Sequence, residues 1–255
     1  MNIVVAIRLV PDLSGEVEIA ADGLDIDREW VDMKLNEFDE HALEEAVLLK
    51  ERLGAKVTVV AIEGEGTDRM LQGALARGAD EAVRIARDDE ALIAPRAAAH
   101  LFAEAARALQ GDLFLTGVQT PEDTFGQLAP LVGAILDWPC VSAVSKVVVG
   151  EGAATVTQEL SGGATATLKV QAPAVLAIQT ASQPLRYIAG SKLREAAGRP
   201  IQSLEVEAGE TPPLETIVAV GLPERVGAAR MWDGDAGSVA SALQTLLAER
   251  GLLRG

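Results

Sequence analysis

Between Ile3 and Leu136 short β-branched runs alternate with stretches of helical periodicity, and this alternation constrains the fold more than any other feature. Ile3–Leu9, Val57–Ile62, Ala82–Ile85 and Asp112–Thr116 read as buried strands. Helical spacing of apolar residues predicts a helix over Asp39–Leu53, with Gly54 as its stop. A second helix is expected from about Thr67 to Arg77 after a turn at Gly64 and Gly66. An Ala-rich third runs to Leu109, with Pro95 tolerable near its first turn, and a fourth covers about Thr124–Leu136. Strands separated by helices of this length pair in parallel through crossover connections. Aromatic residues make up only 3% of a chain that is 49% hydrophobic, so Ala, Val, Leu and Ile must fill the core. Such side chains suit helices docked closely on a parallel sheet.

After Pro139 the rhythm changes. Val141–Val149, Ala154–Leu160, Ala164–Val170 and Ala174–Thr180 are strand-like; Gly-containing turns, GEG and SGG, separate the first three, which reads as an antiparallel extension of the sheet. Near the start, Glu16–Ala20 alternates polar and apolar residues and suggests a short strand within an excursion. From Ile201 to about Gly234, with Pro212-Pro213 and Pro223, periodicity is lost and an extended arm is expected, followed by an amphipathic helix over about Ser238–Arg250. The expected fold class is α/β: a Rossmann-like parallel sheet with flanking helices, an antiparallel extension, and a C-terminal arm plus helix. Residues 1–200 form the nucleotide-binding domain on this reading, and 201–255 the arm and helix, whose apolar face needs a partner subunit to pack on.

The formal net charge of −16 argues against nucleic-acid and anionic-membrane partners. Cys140 is the only cysteine and His41 and His100 the only histidines, too few for a disulfide framework, an iron–sulfur cluster or a zinc site. His41, after Asp39 and Glu40, reads as part of a solvated helix face. No Ser/His/Asp or Cys/His arrangement is present, so no catalytic residue is nominated. Met1-Asn2-Ile3-Val4-Val5 has no basic segment before its apolar run, and no apolar run is long enough to span a bilayer. The expected compartment is the cytoplasm.

Open parallel sheets bind ligands beyond the carboxyl ends of their strands, where helix N-termini present unpaired N–H groups. Three turns fall there: the one after Leu9, Glu63-Gly64-Glu65-Gly66, and Gly117-Val118-Gln119-Thr120-Pro121-Glu122-Asp123-Thr124-Phe125-Gly126-Gln127. In the last, Gly117 permits close backbone approach, Thr120 and Thr124 supply hydroxyls, and Gln119 and Gln127 supply amides. It can hold a nucleotide phosphate over the helix start, or it can be a capped turn with solvated polar groups. In Asn36-Glu37-Phe38-Asp39, Asp39 is placed to cap the following helix, while Asn36 and Phe38 could offer an amide and a ring to a base, or Phe38 could staple onto Leu43. Gly64-Glu65-Gly66-Thr67-Asp68-Arg69 lacks the third glycine of a dinucleotide fingerprint, and Asp233-Gly234-Asp235 lacks the glutamate of a calcium loop.

Several strings together resemble the electron-transfer flavoprotein beta subunit over nearly the whole chain: VVAIRLVPD (4–12), KLNEFDEHALEEAVLLKE (34–51), ALARGAD (74–80), LFLTGVQTPEDTFGQ (113–127), Asp137-Trp138-Pro139, VTQELSGGATATLKVQAPAV (156–175), LRYIAGSKLREAAGRPI (185–201) and the C-terminal helix. The resemblance implies a heterodimer with an alpha subunit that carries the redox-active FAD, fed by a flavoprotein dehydrogenase donor and emptied by a quinone oxidoreductase acceptor. It implies a structural AMP in this chain, at Ala6, Asn36 through Asp39, Ile62 and Gly117 through Leu128, with Phe38 approaching the flavin. Phe125 and the interrupted acidic pattern at Glu122-Asp123-Thr124 depart from the family's usual loop. By the same resemblance Arg186-Tyr187-Ile188-Ala189-Gly190-Ser191-Lys192-Leu193 is the partner-recognition segment, with Gly190 where the family has an anchoring leucine. Alternatives are a bifurcating flavoprotein with a second FAD here and NADH as donor, and a homodimeric nucleotide-binding stress-type module.

Overall fold

The computed structural model describes residues 1–87, 93–150, 152–206, 217–223, 227, 229 and 231–253. Glu151 of the expected GEG turn and Pro212-Pro213 of the expected arm lie outside them. One compact unit spans Met1–Val220 and another Gly221–Gly255.

The first unit is built on a nine-stranded sheet. Its first strand, β1 (Asn2–Ala6), has Ile3, Val4, Val5 and Ala6 almost wholly buried. Ile3 and Val5 face a layer made by α1 (Glu37–Leu53) and α2 (Thr67–Arg77), whereas Val4 and Ala6 face α3 (Pro95–Ala108) and α4 (Leu128–Leu136). A strand with helices on both faces needs apolar residues at every position, and that is why the run at 3–7 shows no alternation.

The remaining strands are β2 (Leu9–Pro11), β3 (Met33–Leu35), β4 (Lys56–Ile62), β5 (Glu81–Ile85), β6 (Leu113–Gly117), β7 (Cys140–Gly150), β8 (Ala153–Glu159), β9 (Thr165–Gln171), β10 (Ala174–Ile178) and β11 (Gln202–Leu204). The large sheet has the order β11-β5-β4-β1-β6-β10-β7-β8-β9, and β2 and β3 form a separate antiparallel ribbon. The parallel α/β architecture expected from the sequence is therefore present.

Two local expectations change. The run from Ile3 to Leu9 is not one strand. Ile7 still donates to the Val60 carbonyl at 3.0 Å, but the next amide, Arg8 N, bonds to the Asp39 carboxylate at 3.0 Å, and the chain leaves the sheet. In the excursion that follows, Glu16–Ala20 makes only the isolated bridge Ile19–Ile26. As expected, β7, β8 and β9 form the antiparallel extension. Strand β10 returns into the sheet parallel to both β6 and β7. Its five residues are all buried, as a strand covered on both faces requires.

Helix ends follow local chemistry. Gly54 closes α1 at φ 68°, a left-handed conformation that glycine adopts without penalty. Pro95 sits in the first turn of α3, where a missing N–H costs nothing. Helix α4 starts at Leu128, later than expected, because residues 120–127 bond among themselves. A short helix, α5 (Gly190–Ala196), follows β10, and β11, at the start of the expected arm, pairs with β5 as an edge strand. In the second unit, α6 (Ala236–Glu249) is capped by Asp235, whose carboxylate accepts from Ser238 N at 2.8 Å and Ser238 Oγ at 2.6 Å. Among the described residues no helix is long and apolar enough to cross a membrane, and no cluster of side chains could hold a metal ion.

Helix α1 lies so close to the end of β6 that Gly117 has no room for a side chain. A Cβ there would meet the Phe38 carbonyl carbon and Cβ at 2.5 Å and Asp39 N at 2.6 Å. Gly117→Ala should therefore lower stability by about 1–3 kcal/mol, typical of overpacking a rigid contact, as read by urea unfolding. An unchanged midpoint would show that α1 can retreat freely.

Candidate functional site at the switch point of the sheet

The chain moves outward from β1 in one direction through β4 and β5, then crosses back to β6 on the other side. Between β1 and β6 the order reverses, and the crevice at their carboxyl ends is where open α/β sheets place ligands. Ala6, Ile62 and Gly117 end β1, β4 and β6, three neighbouring strands. Ala6 is fully buried, and the Ile62 carbonyl accepts the Thr67 hydroxyl at 3.1 Å.

Asp39 sits over this reversal with no exposed surface. It does not cap α1, as the sequence led one to expect. The helix starts at Glu37 with Asn36 at the cap, which leaves Asp39 in the first turn with its carboxylate turned towards the sheet. Oδ2 accepts from Arg8 N at 3.0 Å and Arg8 Nε at 2.9 Å. Oδ1 accepts from Arg8 Nη2 at 2.8 Å, Gly117 N at 2.7 Å and the Thr116 hydroxyl at 3.3 Å. A buried carboxylate is tolerable only when its lone pairs are filled, and a two-pronged guanidinium plus backbone amides fills these. The close approach that Gly117 allows is thus to α1.

Asn36, 3% exposed, donates its side-chain amide to the Gln119 carbonyl at 3.0 Å and its backbone N–H to the Arg8 carbonyl at 2.9 Å. This joins the Asn36–Asp39 segment to the 117–128 loop. Within that loop Asp123 N donates to the Thr120 hydroxyl at 2.8 Å. The Asp123 carboxylate accepts from Gln127 N at 3.0 and 2.8 Å and from Leu128 N at 3.1 Å. Glu122 pairs with Arg28, and the Phe125 ring is 85% exposed.

A cleft of about 300 Å³ opens beside these segments, at the lower end of the range for small-molecule sites. Its lining includes Asn36, Glu37, Phe38, Gln119, Thr120, Pro121 and Thr124 from the nominated residues. Val10, Pro11, Leu13, Ser14 and Lys34 complete it. Ala6, Ile62 and residues 125–128 are not part of that lining. Lys34 is its only basic residue, and its Nζ lies 2.9 Å from the Asp12 carboxylate. The Lys34 bond, followed by bonds from Ser14, holds the Asp12 carboxyl down to about 2.

Sequence comparison bears on the same segments. The family profile described as "Electron transfer flavoprotein domain" matches residues 23–209. The chain belongs to the electron transfer flavoprotein beta-subunit family. An electron transfer flavoprotein subunit beta of Methylophilus methylotrophus is 29% identical over 250 residues, covering 92% of this chain and 93% of that one. One from Bacillus subtilis is 28% identical with 97% of both chains covered. A mitochondrial one from Arabidopsis thaliana is 31% identical, covering 81% of this chain and 82% of that one.

The segment resembling the family's recognition loop starts against α1 at Arg186 and runs into α5, which packs on α2, and none of it lines the cleft. Arg186 reaches Glu44 through Nε at 3.0 and 2.9 Å and through Nη2 at 2.8 Å, and Glu51 through Nη1 at 2.8 Å. Tyr187 is 93% exposed, and Gly190, Ser191, Lys192 and Leu193 form the first turn of α5. Ser182 N and Val147 N donate to Glu45, 1% exposed. His41 is not simply solvated: its Nδ1 accepts from Ala181 N at 3.3 Å.

Sequence reasoning passed over Arg8, Lys34, Glu44 and Glu45. At about 100° per residue Glu44 and Glu45 fall off the stripe of Ala42, Leu43 and Ala46, so the helical pattern did not mark them. Cys140, the lone thiol, is pushed up to about 11 by burial and is a protonated, poor nucleophile at neutral pH.

Two outcomes follow. Asp39→Asn, which leaves the Arg8 guanidinium beside a neutral group, should lower stability by about 3 kcal/mol, with Arg8→Lys costing less. Urea unfolding measures both, and a loss under about 1 kcal/mol for Asp39→Asn would reduce the site to an ordinary surface pair. Hydrogen bonds from Arg186 hold the Glu51 carboxyl below its ordinary 4.5. Their contribution is complete above that ordinary value and disappears as pH falls through the lowered one. The stability gap between parent and Glu51→Gln should therefore be present at neutral pH and close in acid, as read by melts across a pH series.

Proposed function

We propose that this chain is the beta subunit of a heterodimeric electron-transfer flavoprotein. It pairs with an alpha subunit that holds FAD, receives electrons from a flavoprotein dehydrogenase, and passes them towards a quinone oxidoreductase in the cytoplasm. Family membership over residues 23–209, joined to a cleft formed by the Asn36–Phe38 and Gln119–Thr124 segments at the switch point, carries this reading. In such a carrier the cofactor performs the redox chemistry.

The residues present fit one wall of a flavin site. Val10, Pro11, Leu13 and Phe38 give the cleft an apolar surface on which a flat ring can lie. Lys34 brings the lining's one positive charge, and the side chains of Gln119 and Thr124 can donate hydrogen bonds. FAD supplies the electron-accepting ring when the alpha subunit is bound. This chain positions that ring and shields it. An AMP phosphate fits less well: the amides of the cap residue Gln127 and of Leu128, at the start of α4, already hold the Asp123 carboxylate.

Partner contacts follow from exposure. Helix α6 has no buried residue, and Met231 and Leu243 of its unit are exposed, so the alpha subunit covers that unit on this reading. Docking of the donor relies on Tyr187 and Leu193, since Gly190 cannot supply an apolar anchor. A donor other than the usual acyl-CoA dehydrogenases is expected.

Co-expression with the alpha subunit should give a yellow heterodimer reduced by a flavoprotein dehydrogenase, with Tyr187→Ala slowing reduction at low donor concentration and leaving flavin content unchanged. Absorbance spectroscopy and stopped-flow reduction measure this. A flavin-free homodimer would overturn the reading, and flavin on the isolated beta chain would favour a bifurcating protein.

A further inference from the structure

Helix N-termini attract anions because their first amides lack partners. At α4 the partner is already built in. Asp123, 6% exposed, gives both carboxylate oxygens to Gln127 N, at 3.0 and 2.8 Å, and one of them also to Leu128 N at 3.1 Å. The rest of the residue is equally committed. Its carbonyl accepts from Gly126 N at 3.1 Å and Thr120 N at 3.4 Å, and its N–H donates to the Thr120 hydroxyl at 2.8 Å. Thr120 is itself 5% exposed. An incoming phosphate would have to expel a carboxylate held at high effective concentration by its own chain, and would meet its negative charge on the way. Arg28, which pairs with the loop's Glu122, offers little help, because Asp25 holds it as well.

We propose that Asp123 is an internal substitute for a nucleotide phosphate: it satisfies the Gln127 and Leu128 amides at the start of α4 so that the 117–128 loop keeps its shape with no adenylate, and the chain carries no AMP. The loop half of this statement concerns the chain alone. The cofactor half rests on the reading of the chain as an electron-transfer flavoprotein beta subunit.

The test uses the full chain and its complex with the alpha subunit. Nucleotides released by denaturing the heterodimer are separated and quantified, and melting curves are recorded with added AMP or inorganic phosphate for the parent and for Asp123→Ser. The parent complex is expected to release FAD without AMP, and the parent chain to melt at the same temperature with or without either anion, since a ligand that bound would raise it with concentration. Asp123→Ser exposes the amides and should melt lower, then regain part of the loss as phosphate or AMP is added. AMP released in proportion to FAD, or a parent melt that rises with AMP, overturns the proposal. So does a folded Asp123→Ser variant indifferent to both anions. Should that variant not fold, the parent melt and the nucleotide content decide. Failure to find an alpha partner would defeat the functional reading while leaving the melts to decide on Asp123.

Discussion

The Asp39 carboxylate connects the three segments on which the cleft depends. It draws Arg8 N away from the sheet, and this ends β1 and sends Leu9–Pro11 into the ribbon that walls one side of the cleft. It also takes Gly117 N, fixing the start of α1 against the end of β6. That contact is possible only because residue 117 has no Cβ. A charged group with no solvent exposure must be fully bonded to be stable, so its surroundings are constrained in direction as well as distance.

The same device recurs across the chain. Glu45 accepts amides from Val147 and Ser182, Asp80 accepts Val57 N at 2.9 Å, Glu63 accepts Arg87 N at 3.2 Å, and Asp123 accepts those at the start of α4. These amides lie in a strand edge, at strand ends, in loops and at a helix start, where many ladder bonds are missing and a buried donor still needs a partner. A net charge of −16 suggests a repulsive acidic surface, but some of that charge is structural. Asp39, Glu45 and Asp123 face inward, Asp80 and Glu63 stay partly exposed, and all of them tie backbone amides to the frame. This gives the candidate site and the Arg186 segment a common support in α1, which carries Asp39 near its start and Glu44, Glu45 and Glu51 farther along.

Elements with local causes were legible in the sequence. Helix α2 was expected from about Thr67 to Arg77 and spans those residues, because glycines flank an amphipathic stretch. The strands β4, β5 and β6 were found to within a residue or two of each end, since continuous apolar runs bounded by turns have few other uses. The placement of β10 was not legible. An apolar five-residue strand looks the same whether it extends a meander or returns to the centre, and the choice is made by pairing with β6, about sixty residues earlier in sequence. The cap on α1 was misread for a related reason. Asn36 and Asp39 are both good capping residues, and only the nearness of Arg8 and Gly117 decides which of them turns towards the sheet.

The sequence by itself determined the class of fold, the alternation that makes the sheet parallel, the family, and the segments from which the cleft is made, because periodicity, turn residues and extended motifs are properties of neighbouring residues. Only the tertiary structure decided what each polar group in those segments bonds to. Asp123 could have left the α4 amides open to a phosphate or taken them itself, and Asp39 could have capped its own helix or reached the sheet. Such choices depend on which donors arrive within hydrogen-bonding distance once distant segments pack, and no local pattern records that distance.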